Sequence, residues 1–195
     1  MARIKNVVLI LGVLSVFLMG KDAQAVVVSQ INLEEMIATA QYVFSGTCIT
    51  VDRKYDDTTD RDAIFCRFSI SKMIKGDDVS ELTFKMSTIA VDLGQAPTFQ
   101  PGEEVVLFLY GKSTLGFTSP VGLGLGKFSV LQSSAGEKTV VNAHNNTNLF
   151  KGIDRTKYSA TFSPSFAAEM NSVMTKKSGV INYHLFLTLL EEMLN

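Results

Sequence analysis

Apolar positions change their period several times along the chain, and the changes mark out its elements. Between Asn32 and Gln41, residues Leu33, Met36, Ile37 and Ala40 fall at i, i+3, i+4 and i+7, which lines one helical face. Asn32 stands at the N-cap with Glu35 three residues on, the spacing of a capping box. From Tyr42 to Arg53 the β-favouring residues Val43, Thr47, Ile49 and Val51 predict a strand. Asp56 to Asp62 (DDTTDRD) is a charged turn. Ala63 to Ile74 is a second long strand, with Ile64, Cys66, Phe68, Ile70 and Ile74 sharing one face at period two. Lys75-Gly76-Asp77-Asp78 turns the chain into a third strand, Glu81 to Ser87. Pro97 and Pro101-Gly102 bracket a loop, and Glu104 to Tyr110 (EVVLFLY) is the most continuous apolar strand, hence a central one. Gly116 to Thr118 reads as a short edge strand. Leu125 to Leu131 and Lys138 to Ala143 are two further strands, and Asn142 to Thr156 is a polar loop. The helical period returns at Pro164 to Met174, with Pro164 in the first turn. A last helix is capped by Asn182 and striped by Phe186, Leu189, Leu190, Met193 and Leu194. Helix, then strands, then helices argues for a mostly β, α+β domain or a small barrel with packed helices, not a βαβ sheet. A tightly coiled five-stranded barrel fits the strand count.

The first 25 residues have another character. Arg3 and Lys5 precede thirteen uncharged residues, Val7 to Met19, and Ala23-Gln24-Ala25 follows as a small-x-small pattern. This is the layout of a secretory signal peptide cleaved after Ala25. Thirteen apolar residues cover about 20 Å as a helix, short of the ~30 Å hydrocarbon core of a bilayer. The expected mature chain has 170 residues, 15 of them basic and 18 acidic, and no later run has the length of a membrane span. A periplasmic or secreted location follows.

Composition removes several function classes. The whole chain has 46% hydrophobic and 19% charged residues and a net charge of -1, too apolar for disorder. Its Lys and Arg residues do not cluster with aromatics, so no nucleic-acid partner is expected. Two cysteines and two histidines cannot build a Cys/His zinc cluster. Cys48 and Cys66 flank the DDTTDRD turn, and their midpoint, residue 57, lies within it. Antiparallel strands would set them opposite each other, and in an oxidising compartment a disulfide is expected. Closing a loop of about 18 residues would stabilise by roughly 3 kcal/mol in the chain-entropy account.

The remaining motifs read plainly. Gly122-Leu123-Gly124-Leu125-Gly126-Lys127 is not a Walker loop, because Val121 and Phe128 stand where Gly and Ser or Thr are needed. Its glycines at alternate positions suit a strand face that lets another backbone approach. Asp56, Thr58, Asp60 and Asp62 alternate like half a calcium loop but lack its Gly and distal Glu, so a solvated hairpin tip is expected. His144 and His184 have no HExxH spacing, and no serine sits in GxSxG. Asn145-Asn146-Thr147 matches a glycosylation acceptor in a host that glycosylates there. No catalytic residue, cofactor or metal site is indicated.

Four stretches in order carry a family resemblance: Leu33-Glu34-Glu35 running into Tyr42-Val43-Phe44-Ser45-Gly46-Thr47; Phe68 to Gly76 (FSISKMIKG); Phe99 to Leu109 (FQPGEEVVLFL); and Gly126-Lys127-Phe128-Ser129-Val130. Across Leu33 to Leu131 the chain resembles small secreted bacterial proteins with an OB-type barrel akin to the N-terminal domain of tissue inhibitors of metalloproteinases. The resemblance implies a five- to six-stranded OB-like barrel with a leading helix over residues 26–160 and a C-terminal helical extension, 161–195, packed on it. It also implies a binding role. In the eukaryotic inhibitors an N-terminal Cys chelates the target's catalytic zinc through its amine and carbonyl. Here the expected mature end is Val26 and the nearest Cys is Cys48, so that mechanism does not carry over.

The expected function is therefore a secreted, non-catalytic OB-type domain that binds another extracytoplasmic protein, with an extracytoplasmic metalloprotease as one candidate. The alternative is a module for a glycan or small molecule, or a structural accessory of the envelope. Loops on a rigid scaffold commonly carry recognition. The expected contacts are the acidic hairpin, with Asp56, Asp57, Asp60 and Asp62, and the segment Ile89 to Gln100, with Asp92 and Phe99.

Overall fold

A computed structural model describes residues 31–159 and 164–194. The expected leader, with cleavage after Ala25, lies outside the described residues, as does the expected boundary at 160–161. Helix α1 (Leu33–Thr39) starts at the predicted capping box. Asn32 Oδ1 accepts from the Glu35 N–H and Glu35 Oε2 from the Asn32 N–H, both at 2.9 Å. The strands are β1 (Tyr42–Asp56), β2 (Arg61–Lys75), β3 (Glu81–Ser87), β4 (Glu104–Leu109), β5 (Lys127–Gln132), β6 (Lys138–Asn142) and β7 (Ile181–Asn182). The helices after α1 are α2 (Thr88–Asp92), α3 (Thr156–Ser159), α4 (Pro164–Met174) and α5 (Tyr183–Leu194). The strands form one antiparallel sheet in the order β3-β2-β1-β4-β5-β6-β7. Among the described residues no helix is long and apolar enough to cross a membrane.

Strand β4 explains the packing, because both of its faces are buried. Val106 and Phe108 join a core roofed by α1, α4 and α5, where Phe128 packs between Phe108 and Phe186. Val105, Leu107 and Leu109 face a second core with Phe44, Phe68 and Phe84. That second core is enclosed by the curl of β1, β2 and β3. Three register shifts along the 15-residue hairpin strands, at Val43/Phe44, Ser45/Gly46 and Cys48/Thr50, supply the bend. α5 lies on the first core through Phe186, Leu189 and Leu190, and its N-cap Asn182 Oδ1 accepts from the Leu185 N–H at 3.1 Å. Leu194, at the end of the predicted stripe, is exposed.

The sheet is open, with β3 and β7 at its edges. A strap, residues 117–121, spans from β3 to β4. The Thr118 N–H donates to Lys85 O (2.9 Å), and the Val121 N–H to Phe108 O (2.8 Å). It makes single bridges only, Lys85 to Phe117 and Leu109 to Pro120. The chain then takes left-handed conformations at Gly122 (φ 59°) and Leu123 (φ 60°) and coils into a 3₁₀ turn, Leu123–Gly126. That coil interrupts the strand predicted from Leu125 and keeps the strap short. The glycines therefore sit in a tight turn and not on a strand face. The close approach is nonetheless present at Gly126, where a Cβ would stand 2.4 Å from Val121 O.

The expected disulfide is absent: Cys48 and Cys66 are free and buried. The hairpin turns between Thr58 and Thr59, since Asp56 pairs with Arg61, and the shift at Cys48/Thr50 takes back only one residue of the resulting offset. Cys48 thus faces Phe68, while Cys66 faces Val51. The thiols occupy a diagonal, and diagonal neighbours stand about 7–8 Å apart, whereas a disulfide needs Cβ atoms about 3.5–4.5 Å apart. Burial raises both thiols, with Cys66 pushed up to about 12.

Two outcomes are expected. A thiol reagent applied without reductant should leave the native protein unmodified and label two cysteines after denaturation; no label in the denatured chain would contradict this register. In urea titrations, Gly126→Ala should destabilise by about 1–3 kcal/mol through overpacking. Gly111→Ala, whose nearest neighbour would be 3.9 Å away, should stay within about 0.5 kcal/mol of the parent.

Candidate functional site

The far end of the β1–β2 hairpin extends past β4, which pairs only with Tyr42 to Thr47 of β1. Such an end would splay unless its turn were held. Asp56 holds it. Its Oδ1 accepts from the Thr58 N–H (3.3 Å) and hydroxyl (2.7 Å), and its Oδ2 from the Thr59 hydroxyl (2.8 Å) and the Lys85 ammonium. The Lys85 ammonium, with the threonine donors, holds the Asp56 carboxyl far below the usual carboxylate range. Lys85 also lies over the Phe117 ring at 4.9 Å, and its carbonyl takes the strap's Thr118 N–H. One lysine therefore connects hairpin tip, β3 and strap.

Helix α2 closes the other side of the hairpin end. Arg53 forks onto Asp92, with both N–H···O distances 2.9 Å, and this contact lowers the Asp92 carboxyl. The Thr88 hydroxyl donates to Asp62 O at 3.3 Å. Large apolar side chains nevertheless stay in solvent here: Tyr55 is 54% exposed, Ile89 62% and Leu93 65%. The Tyr55 hydroxyl donates to Asp60, a contact that raises the phenol.

The sequence-derived candidates separate into two groups. Asp57, Asp60, Asp62 and Asp92 are exposed at this end of the molecule. Asp56 is buried and braces the turn. Phe99 is 3% exposed, packed edge-on to Phe68 (5.3 Å) and Phe84 (6.0 Å) with Lys127 over its ring. It is a core residue and not a contact on an exposed loop. Sequence reasoning missed Arg53, Tyr55 and Lys85, and it placed Ile89 and Leu93 in a contact loop, Ile89 to Gln100, without singling them out. The β-branched Thr88, Ile89 and Val91 hide a helix, although the i, i+4 spacing of Ile89 and Leu93 is the signal that could have found its outer face.

Other chemistry is sparse. His144 and His184 are exposed. Among the described residues, no three His, Cys, Asp or Glu side chains come together as a metal site. A cleft of about 240 Å³ lies beside β3, lined by Phe65, Thr83, Lys85, Lys112 and Gly116. No protein-family model matches the chain, and no curated protein matches it.

Because the Asp56 carboxyl is lowered in the fold, its contribution to stability is present above the unfolded carboxylate value and fades as pH falls below it. Asp56→Asn should therefore lower the urea midpoint at pH 7 and at pH 5. The difference from the parent should shrink only below about pH 4, the unfolded Asp value. A difference that already closes between pH 7 and pH 5 would contradict the Asp56–Lys85 assignment.

Proposed function

We propose that this chain is an extracytoplasmic, non-catalytic binding protein that grips a protein partner with the end of the β1–β2 hairpin and α2. The observation that carries the reading is the combination at that end of a braced backbone with Tyr55, Ile89 and Leu93 in solvent. Aromatic and aliphatic anchors surrounded by polar groups are the usual centre of a protein interface. Holding them on a stiff hairpin lowers the ordering cost of association. The carboxylates of Asp57, Asp60 and Asp62 form the polar surround in this reading.

The resemblance to tissue inhibitors of metalloproteinases points the first search toward extracytoplasmic metalloproteases. The OB-type reading draws support from the strap, whose parallel bridge to β3 and antiparallel bridge to β4 follow the path of a fifth barrel strand. A glycan or small-molecule role is the second reading, favoured by the cleft beside β3. At about 240 Å³ that cleft is smaller than the ~300–1,000 Å³ of most ligand pockets; a hollow of about 410 Å³ along Ile70–Met73 and Asp78–Ser80 reaches that range but is lined mainly by polar groups, so this reading ranks behind a protein partner.

Immobilised residues 26–195 should retain one stoichiometric partner from the native extracytoplasmic extract. Ile89→Asp combined with Leu93→Asp should release that partner while the circular dichroism stays unchanged. An empty parent column defeats the protein-binding reading and turns the search to glycan arrays. Equal retention by parent and variant defeats the assignment of the surface.

A further inference from the structure

The edges of the sheet differ in how they are protected. β2 runs beyond β3 through Ile70 to Lys75, but two register shifts kink it there, and Lys72 and Lys75 are tied to Glu191 and to Ile37 O. β7 has two residues. β3 is seven residues long and pairs with β2 without a register shift. Bulges and very short strands are devices that blunt an edge, and β3 has neither.

The backbone of β3 can be assigned by alternation. Lys85 O accepts from the strap, so the peptide groups of Lys85 face outward. In an antiparallel pair the outward and inward residues alternate, so the N–H and C=O of Thr83 and Glu81 face outward as well. No described backbone group pairs with them: the strap runs parallel to β3 and meets it only at Lys85, and the segment before it, Ser113 to Phe117, closes on itself as a turn. The cleft lies alongside this stretch. Phe65, with Lys54 over its ring at 4.6 Å, lines it together with Thr83 and Lys112. Neither Lys54 nor Lys112 makes an ion pair among the described residues.

We propose that the Glu81–Phe84 edge of β3 accepts an extended, carboxylate-bearing segment of a protein partner as an added strand. Main-chain hydrogen bonds to Glu81 and Thr83 supply the pairing, as in other cases of strand addition. A residue of the added strand packs on Phe65, and a neighbouring carboxylate meets Lys112. Four residues of β3 offer about 13 Å of edge, enough for a short linear segment and too little for a second sheet. The inference rests on the reading of the chain as a binder of proteins, but it uses a surface separate from the hairpin tip.

The test begins with a displayed library of random linear peptides panned against the folded mature chain. It should enrich peptides carrying Asp or Glu beside an apolar residue. A synthesised winner should shift the amide resonances of Glu81 to Lys85. Thr83→Pro removes an outward N–H without breaking the β2 ladder and should weaken that peptide by about tenfold or more, a loss of about 1.4 kcal/mol. Lys112→Glu should weaken it similarly. Ile89→Asp should leave it unchanged, so failure of the tip reading and failure of the edge reading are distinguishable. If Thr83→Pro does not fold, the resonance map and Lys112→Glu carry the test. A library that enriches nothing, peptides whose shifts map to the tip, or binding unmoved by the substitutions overturns the proposal. Dimerisation that rises with concentration and is abolished by Thr83→Pro assigns the edge to a second copy and also overturns it.

Discussion

The structure depends on the burial of β4 from both sides. Val106 and Phe108 cannot leave water unless helices cover one face, and Val105, Leu107 and Leu109 cannot leave it unless the sheet curls over the other. The helices and the long hairpin are the two answers to that requirement. Each fully buried side chain of this size is stabilised by roughly 1.5–3 kcal/mol, and β4 places its five on both cores at once. The register shifts in β1 and β2 follow from it, because a flat hairpin could not enclose Phe68 and Phe84.

The same constraint separates the stable part of the molecule from its outward-facing part. Where β1 runs past β4, only the short helix α2 lies against the hairpin among the described residues, and local polar contacts reinforce it. Asp56 gathers its donors there and Arg53 forks onto Asp92. These groups order the hairpin end without burying Tyr55, Ile89 or Leu93. A surface that stays apolar while its backbone is braced is suited to contact with another macromolecule, and the Glu81–Thr83 edge of β3, which no described backbone group pairs with, belongs to the same sheet. The binding reading follows from that division between core and tip.

Much of the fold was legible in the sequence because its signals are local. The capping box at Asn32 and Glu35, the alternation through Ile64 to Ile70, the unbroken run of β4 and the stripe of the last helix each appear where periodicity placed them. What was not legible depends on pairing between distant segments. The turn centres between Thr58 and Thr59 rather than at residue 57, which moved Cys48 off Cys66, and no spacing rule places the centre of a polar turn that closely. Phe99 lies in a proline-bracketed loop, yet it fills the gap between Phe68 and Phe84 because the curl leaves room for a ring. Asp56 looked like one acid of a solvated tip, and only β3 brings Lys85 to it. Of the glycines at 122, 124 and 126, read as making space for another backbone, only Gly126 does so, while Gly122 and Gly124 face side chains. They were misplaced on a strand because positive φ at Gly122 and Leu123 has no simple sequence signature.

The central claim is a doubly buried β4 in a sheet whose Glu81–Thr83 edge no described backbone group pairs with, and native-state amide exchange tests it most directly. The amides of Val105 to Leu109 should exchange only through global unfolding, while those of Glu81 and Thr83 exchange at rates near those of an open chain. Equal, strong protection at Glu81 and Thr83, or fast exchange along β4, would contradict the account.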